Sequence, residues 1–155
     1  MPLLRDPHAR DLSVYEPETV TVGYGDDVPG RGALGNQIAR VIARALRDAK
    51  DADIGRGDVA CRMGERLERP VTVAQIDKWA SEAAEEHRIP LDAFVALIEA
   101  TRQHELLGFL PGLYGYAVVP ARYVDMIELQ MLEDHEKEVA ARKAALQAKI
   151  KGRRR

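Results

Sequence analysis

The chain has 155 residues, 46% of them hydrophobic but only 5% aromatic, and 23 lysines and arginines against 25 acids leave a net charge of −2. That length can bury one modest core with appendages, and because alanine fills many apolar positions a mainly α protein is expected. No run approaches the ~18 apolar residues that span a bilayer, MPLLRDPHAR holds no apolar leader core, and the single Cys61 cannot build a disulfide framework, which together argue against a membrane or disulfide-stapled protein and lead to the expectation of a soluble, cytoplasmic one.

Three parts are expected: an extended arm over 1–31, a helical domain over 32–120, and a long charged helix with a basic tail over 121–155. The arm contains the alternating Thr19-Val20-Thr21-Val22, at most one weak strand, and the acidic pair Asp26-Asp27. Only Arg5 and Arg10 could serve a minor groove from it, so packing on the body or on a partner chain is the expected role. From Ala33 to Lys50, Leu34, Ile38, Ile42, Ala45 and Leu46 recur on one face, widened by Val41 and Ala49, while Arg40, Arg44 and Arg47 fall elsewhere. That segment is the leading helix of a compact bundle.

Between Gly57 and Thr101 the pattern predicts a helix, a break, a second helix and a third. Val59, Ala60, Met63 and Leu67 share one face of the first, with Arg62, Glu65, Arg66 and Glu68 on the other. Cys61, among these apolar neighbours, is expected to be a small buried hydrophobe. Thr72 followed three residues later by Gln75 is a capping-box pattern, so the second helix should begin at Thr72 or Val73. Ile76, Trp79, Ala80 and Ala83 would then point inward, and Ala74, Gln75, Lys78 and Ser81 outward. Pro90 suits the first turn of the third helix, whose inward set is Phe94, Leu97, Ile98 and Thr101.

This stretch resembles the lambda-repressor-like (Cro and XRE-type) helix-turn-helix domains. Ala60, Met63, Ile76, Trp79 and Pro90 match the family's tight first-helix alanine, the inward face of its recognition helix and the proline that opens the next helix, and LIEAT resembles the aliphatic helix that follows. The match covers about a third of the chain. The turn from Leu67 to Val71 is longer than the family's and carries Arg69-Pro70, and the segment from Ser81 to Ile89 is longer and more acidic. In overall layout, with its polar arm, GYAVVP segment and charged last helix, the chain is similar to small regulatory or transposition-associated proteins of Mu-like transposable phages. The resemblance implies a compact helix-turn-helix bundle that binds double-stranded DNA as a phage or prophage transcriptional regulator or transposition-associated factor. The helix opened by Thr72 would enter the major groove, with Gln75 suited to adenine and Lys78 to guanine. Thr72 and Ser81 would touch phosphate or base edges, and Arg56, Arg62, Arg66 and Arg69 would hold the backbone.

Charge along the chain is segregated. Residues 31–69 carry nine bases against six acids, residues 70–120 three against seven, and residues 142–155 seven bases and no acid. The tail Arg153, Arg154 and Arg155 is therefore a second expected phosphate contact. Against this, Asp77, Glu82, Glu85 and Glu86 on or after the second helix would be repelled by phosphate. The same fold used as a protein-interaction adaptor in a transposition or replication assembly, with a phage protein as partner, is the alternative reading.

After Thr101, Leu106, Leu107, Phe109 and Leu110 predict a short helix ended by Pro111-Gly112. Tyr114 to Val119 then alternates in a way that suits an extended segment paired with Thr19–Val22 rather than a DNA-contacting wing. The last helix, from Ala121 to about Lys151, has Val124, Ile127, Met131 and Leu132 in its first half and only Val139, Leu146 and Ile150 among alanines in its second. It would either extend alone, its acids early and bases late suiting the helix dipole, or join a partner helix in a homodimer. Enzymatic signatures are lacking. His8, His87, His104 and His135 have no ligand spacing, Glu85 to Arg88 lacks zincin spacing, and GYGDDVPGRG lacks the ending of a phosphate loop. Neither catalysis, metal nor cofactor is expected.

Overall fold

A computed structural model describes residues 19–153. Among them the chain is mainly helical: α1 Leu34–Asp51, α2 Arg56–Leu67, α3 Val73–Trp79, α4 Leu91–Thr101, a 3-10 turn at His104–Gly108, α5 Phe109–Gly112, a further 3-10 turn at Ala121–Tyr123, and α6 Val124–Arg153. No described helix is long and apolar enough to cross a membrane.

α1 buries Ala39, Val41, Ile42, Ala45, Leu46 and Ala49, so the apolar stripe read from the sequence faces the core. Leu34, at the first turn, is 54% exposed, because the stripe reaches the core only one turn later. Asp53, beyond the end of α1, has φ 61° and Glu68, after α2, has φ 54°. Both helices thus stop at residues in the left-handed region, an arrangement usually left to glycine. At the start of α2 the Asp58 carboxylate reaches back to accept from the Gly55 amide at 3.2 Å, which satisfies one of the amides a helix start leaves unpaired.

α2 and α4 form the broadest helix–helix contact of the domain. Val59, Ala60 and Met63 of α2 and Ala93, Ala96, Leu97 and Ala100 of α4 are all buried, and the alanines allow the two backbones to approach closely. Thr101, fully buried, donates its hydroxyl to the Leu97 carbonyl at 2.7 Å, so this polar group is buried with its hydrogen bond satisfied. Cys61 is exposed, contrary to expectation. It stands two residues from both Val59 and Met63, roughly 200° around the helix from either, and therefore faces solvent.

The expected pairing of the segment before α1 with the one before α6 is reduced to a single antiparallel bridge, in which the Val22 amide donates to the Val118 carbonyl at 2.8 Å. The crossing is made possible by Gly108. A Cβ there would overlap the Val22 carbonyl and lie 2.5 Å from Gly23 Cα. A second anchor follows at Tyr24, whose hydroxyl donates to Asp48 of α1 at 3.2 Å while Arg44 holds the same carboxylate at 2.9 Å and lies 5.6 Å from the tyrosine ring centre. Burial, reinforced by the Asp48 charge, pushes the Tyr24 phenol well above its ordinary value. The short helix expected to end at Pro111-Gly112 is a 3-10 turn running into α5, with Pro111 inside α5.

Candidate nucleic-acid interface

α3 is positioned from both ends of its short sequence. At its start Thr72 takes the extended conformation of an N-cap and its hydroxyl accepts from the Gln75 amide at 3.2 Å, the interaction that Thr72 and Gln75 predict. Its inward side rests on Ile76, fully buried, and Trp79, 5% exposed. Ala74, Asp77 and Lys78 are left on the outer side, with Gln75 at its margin.

The helix stops at Trp79, short of the inward Ala83 that the periodicity suggests. Ala83 is exposed, Ala80 half-buried against the core, and Ser81 half-buried beyond the helix end. The acidic segment after α3 is drawn back to α1, with Arg40 pairing to Glu82 at 2.8 Å and Arg88 reaching Asn36 at 3.5 Å. Arg88 lies over Gly35, where a side chain would collide with its guanidinium.

A groove of about 710 Å³ opens between α1 and this segment, lined by Arg40, Arg44, Arg47, Arg56 and Ser81 with Asp27 and Glu82 among its acids. Four arginines from two helices therefore converge beside the C-terminal end of α3. Arg40, Arg44 and Arg47 belong to the basic block of residues 31–69 where phosphate contact is expected, though the sequence does not single them out, and their spacing of four and three residues along α1 marks one helical face.

The expected backbone-holding arginines do not form one surface. Arg56 pairs with Asp77 of α3 and belongs to the groove. Arg62 donates to the Ala100 carbonyl at 3.2 Å, where α4 ends, and Arg66 pairs with Glu99 at 2.9 Å. Arg69 pairs with Asp92 in the first turn of α4 at 2.8 Å. These last three turn toward α4 rather than α3, since α4 presents an acid at each end and a free carbonyl terminus. Lys78 has no ion pair among the described residues. Arg153 closes α6 in solvent, while Arg154, Arg155 and the arm's Arg5 and Arg10 lie outside the described residues.

The ion pairs of Arg56, Arg66 and Arg69 are exposed, while Arg40 and Asp48 each keep only 28% of their side-chain surface. Arg56 and Asp77 retain 42% and 52% of their side-chain surface. Such pairs contribute about 0–1 kcal/mol, so a phosphate can replace the carboxylate at small cost. Among the described residues no cluster of His, Cys, Asp or Glu could hold a metal ion. No family model, curated protein or solved structure matches the chain, so the geometry of this surface is the ground for a functional reading.

Proposed function

We propose that α2, α3 and α4 act as a lambda-repressor-like helix-turn-helix that binds double-stranded DNA, in a phage or prophage transcriptional regulator or transposition-associated factor. The observation that carries the reading is the arginine groove beside α3. A capped helix with Lys78 on its outer side and Gln75 at its margin offers base contacts, and Arg44, Arg47 and Arg56 offer phosphate contacts next to it, while Arg40 is held by Glu82 and by the Pro29 and Arg31 carbonyls and shapes the groove. Four of the nine bases of residues 31–69 line that groove. Arg62, Arg66 and Arg69 reach α4 rather than the groove, so their place on the molecule, not their pairing, separates them from the phosphate contacts.

Two double variants test this. A preferred duplex is first selected from a random library. Gln75→Ala with Lys78→Ala should then reduce preference over random duplex by about 1–3 kcal/mol per lost base contact, whereas Arg44→Ala with Arg47→Ala should weaken both duplexes alike and flatten the salt dependence. No binding by the unaltered protein at low salt would refute the reading. The adaptor reading is favoured by a separate observation, the exposed Asp77, Glu82, Glu85 and Glu86 around the same helix. Under it the first double variant keeps its DNA binding and loses a protein partner.

A further inference from the structure

α6 runs for 30 residues, about 45 Å at 1.5 Å per residue. None of its residues is buried, and its one substantial neighbour among the described elements is the 3-10 turn that precedes it. Nine of the chain's exposed large hydrophobic side chains lie on it. Five of them, Leu129, Leu132, Val139, Leu146 and Ile150, are spaced by three, seven, seven and four residues and so form one stripe along the helix. Two charges of opposite sign, Glu136 and Lys143, interrupt that stripe.

The charge pattern of the whole helix has the same polarity. From 124 to 138 six acids face one lysine, and from 139 to 153 there are five bases and no acid, giving halves of −5 and +5. The helix dipole rewards such an order only within the first and last turn. It accounts for Asp125, Lys151 and Arg153, and leaves the mid-helix Glu133, Glu136, Glu138, Arg142 and Lys143 unexplained.

We propose that α6 pairs with α6 of a second copy of this chain in antiparallel orientation, about a two-fold axis between Val139 and Ala140. That axis sets Leu129 against Ile150 of the partner subunit and brings Leu132 beside Leu146 of the partner subunit, one residue from the position directly opposite. It also brings Glu136 to Lys143 of the partner subunit, so the two residues that spoil the stripe within one chain satisfy each other across the pair. The acidic half of each helix then lies along the basic half of the other. A parallel pair would stack acid on acid and base on base, with Glu136 and Lys143 each opposite its own copy, and like charges so opposed are repulsive. The pairing rests on α6 alone and is measured without DNA, so it stands or falls separately from the function proposed above.

The full chain should sediment as a dimer at micromolar concentration, and a monomer throughout that range would overturn the proposal. Orientation is read in a Cys61→Ser background by mixing chains carrying Leu129→Cys with chains carrying Ile150→Cys under oxidising conditions. The mixture should give a disulfide between the two variants. Efficient self-linking of each variant alone, without mixed linking, would show a parallel pair and refute the geometry. Glu136→Lys and Lys143→Glu, both expected to fold because the sites are exposed in the monomer, should each raise the dimer dissociation constant by roughly tenfold or more. An equimolar mixture of the two should recover the original affinity. Single variants that dimerise as tightly as the parent, or a mixture that fails to recover, would remove this charge pair from the interface and with it the proposed register.

Discussion

Truncating Trp79 tests the placement of α3 most directly. Ile76 and Trp79 are the only buried residues of this seven-residue helix, and a helix that short does not hold itself without tertiary packing. An indole that withdraws about 200 Å² from water at roughly 25 cal/mol/Å² sets a ceiling near 5 kcal/mol. Measured truncations of buried large aromatics cost about 3–5 kcal/mol. Trp79→Ala should therefore lose about 3–5 kcal/mol, at least a fifth of the roughly 5–15 kcal/mol that stabilises a domain. Urea titration followed by far-ultraviolet circular dichroism measures the loss. Trp79 is also the only tryptophan in the chain, so the unaltered protein carries its own reporter. Its emission should be blue-shifted in the native state, resist acrylamide, and move to the red together with the dichroism transition. Free quenching in the native state, or a Trp79→Ala midpoint equal to the parent's, would refute the inward placement of α3 and the outward face derived from it.

Gly108→Ala should cost about 1–3 kcal/mol, because the added methyl meets the fixed backbone of Val22 and Gly23 rather than a side chain that can turn away. Faster amide exchange at Val22 should accompany the lower melting point, and retained protection there would refute the contact. Tyr24→Phe removes the hydrogen bond to Asp48 and should cost about 1 kcal/mol at neutral pH. Because the folded-state pKa of Tyr24 is raised by burial and Asp48, its protonated form is favoured by folding. That contribution is full below the unfolded-chain value near 10 and is lost as pH rises beyond it toward the folded value. Stability should accordingly fall more steeply above about pH 10 in the parent than in Tyr24→Phe, and equal slopes would show that the phenol is not so held.

Local chemistry was legible in the sequence wherever neighbours along the chain settle the outcome. The apolar period of α1, the Thr72 cap, the inward Ile76 and Trp79 and the long last helix all follow from residues within a turn or two of each other. Cys61 is exposed although its sequence neighbours are apolar, because its angle on α2 and not its company decides its face. What the tertiary structure decided involves partners far apart in the chain. Beyond the end of α3, Glu82 and Arg88 are tied to α1, and the segment before α1 meets the one before α6 in one bridge, with a glycine 86 residues beyond Val22 leaving room for its backbone. The candidate site divides for the same reason. In the sequence Arg56, Arg62, Arg66 and Arg69 are one basic block, but charge carries no direction until the fold supplies acids. Asp77 draws Arg56 toward α3 and the α1 arginines, while Glu99, the Ala100 carbonyl and Asp92 draw the other three to α4.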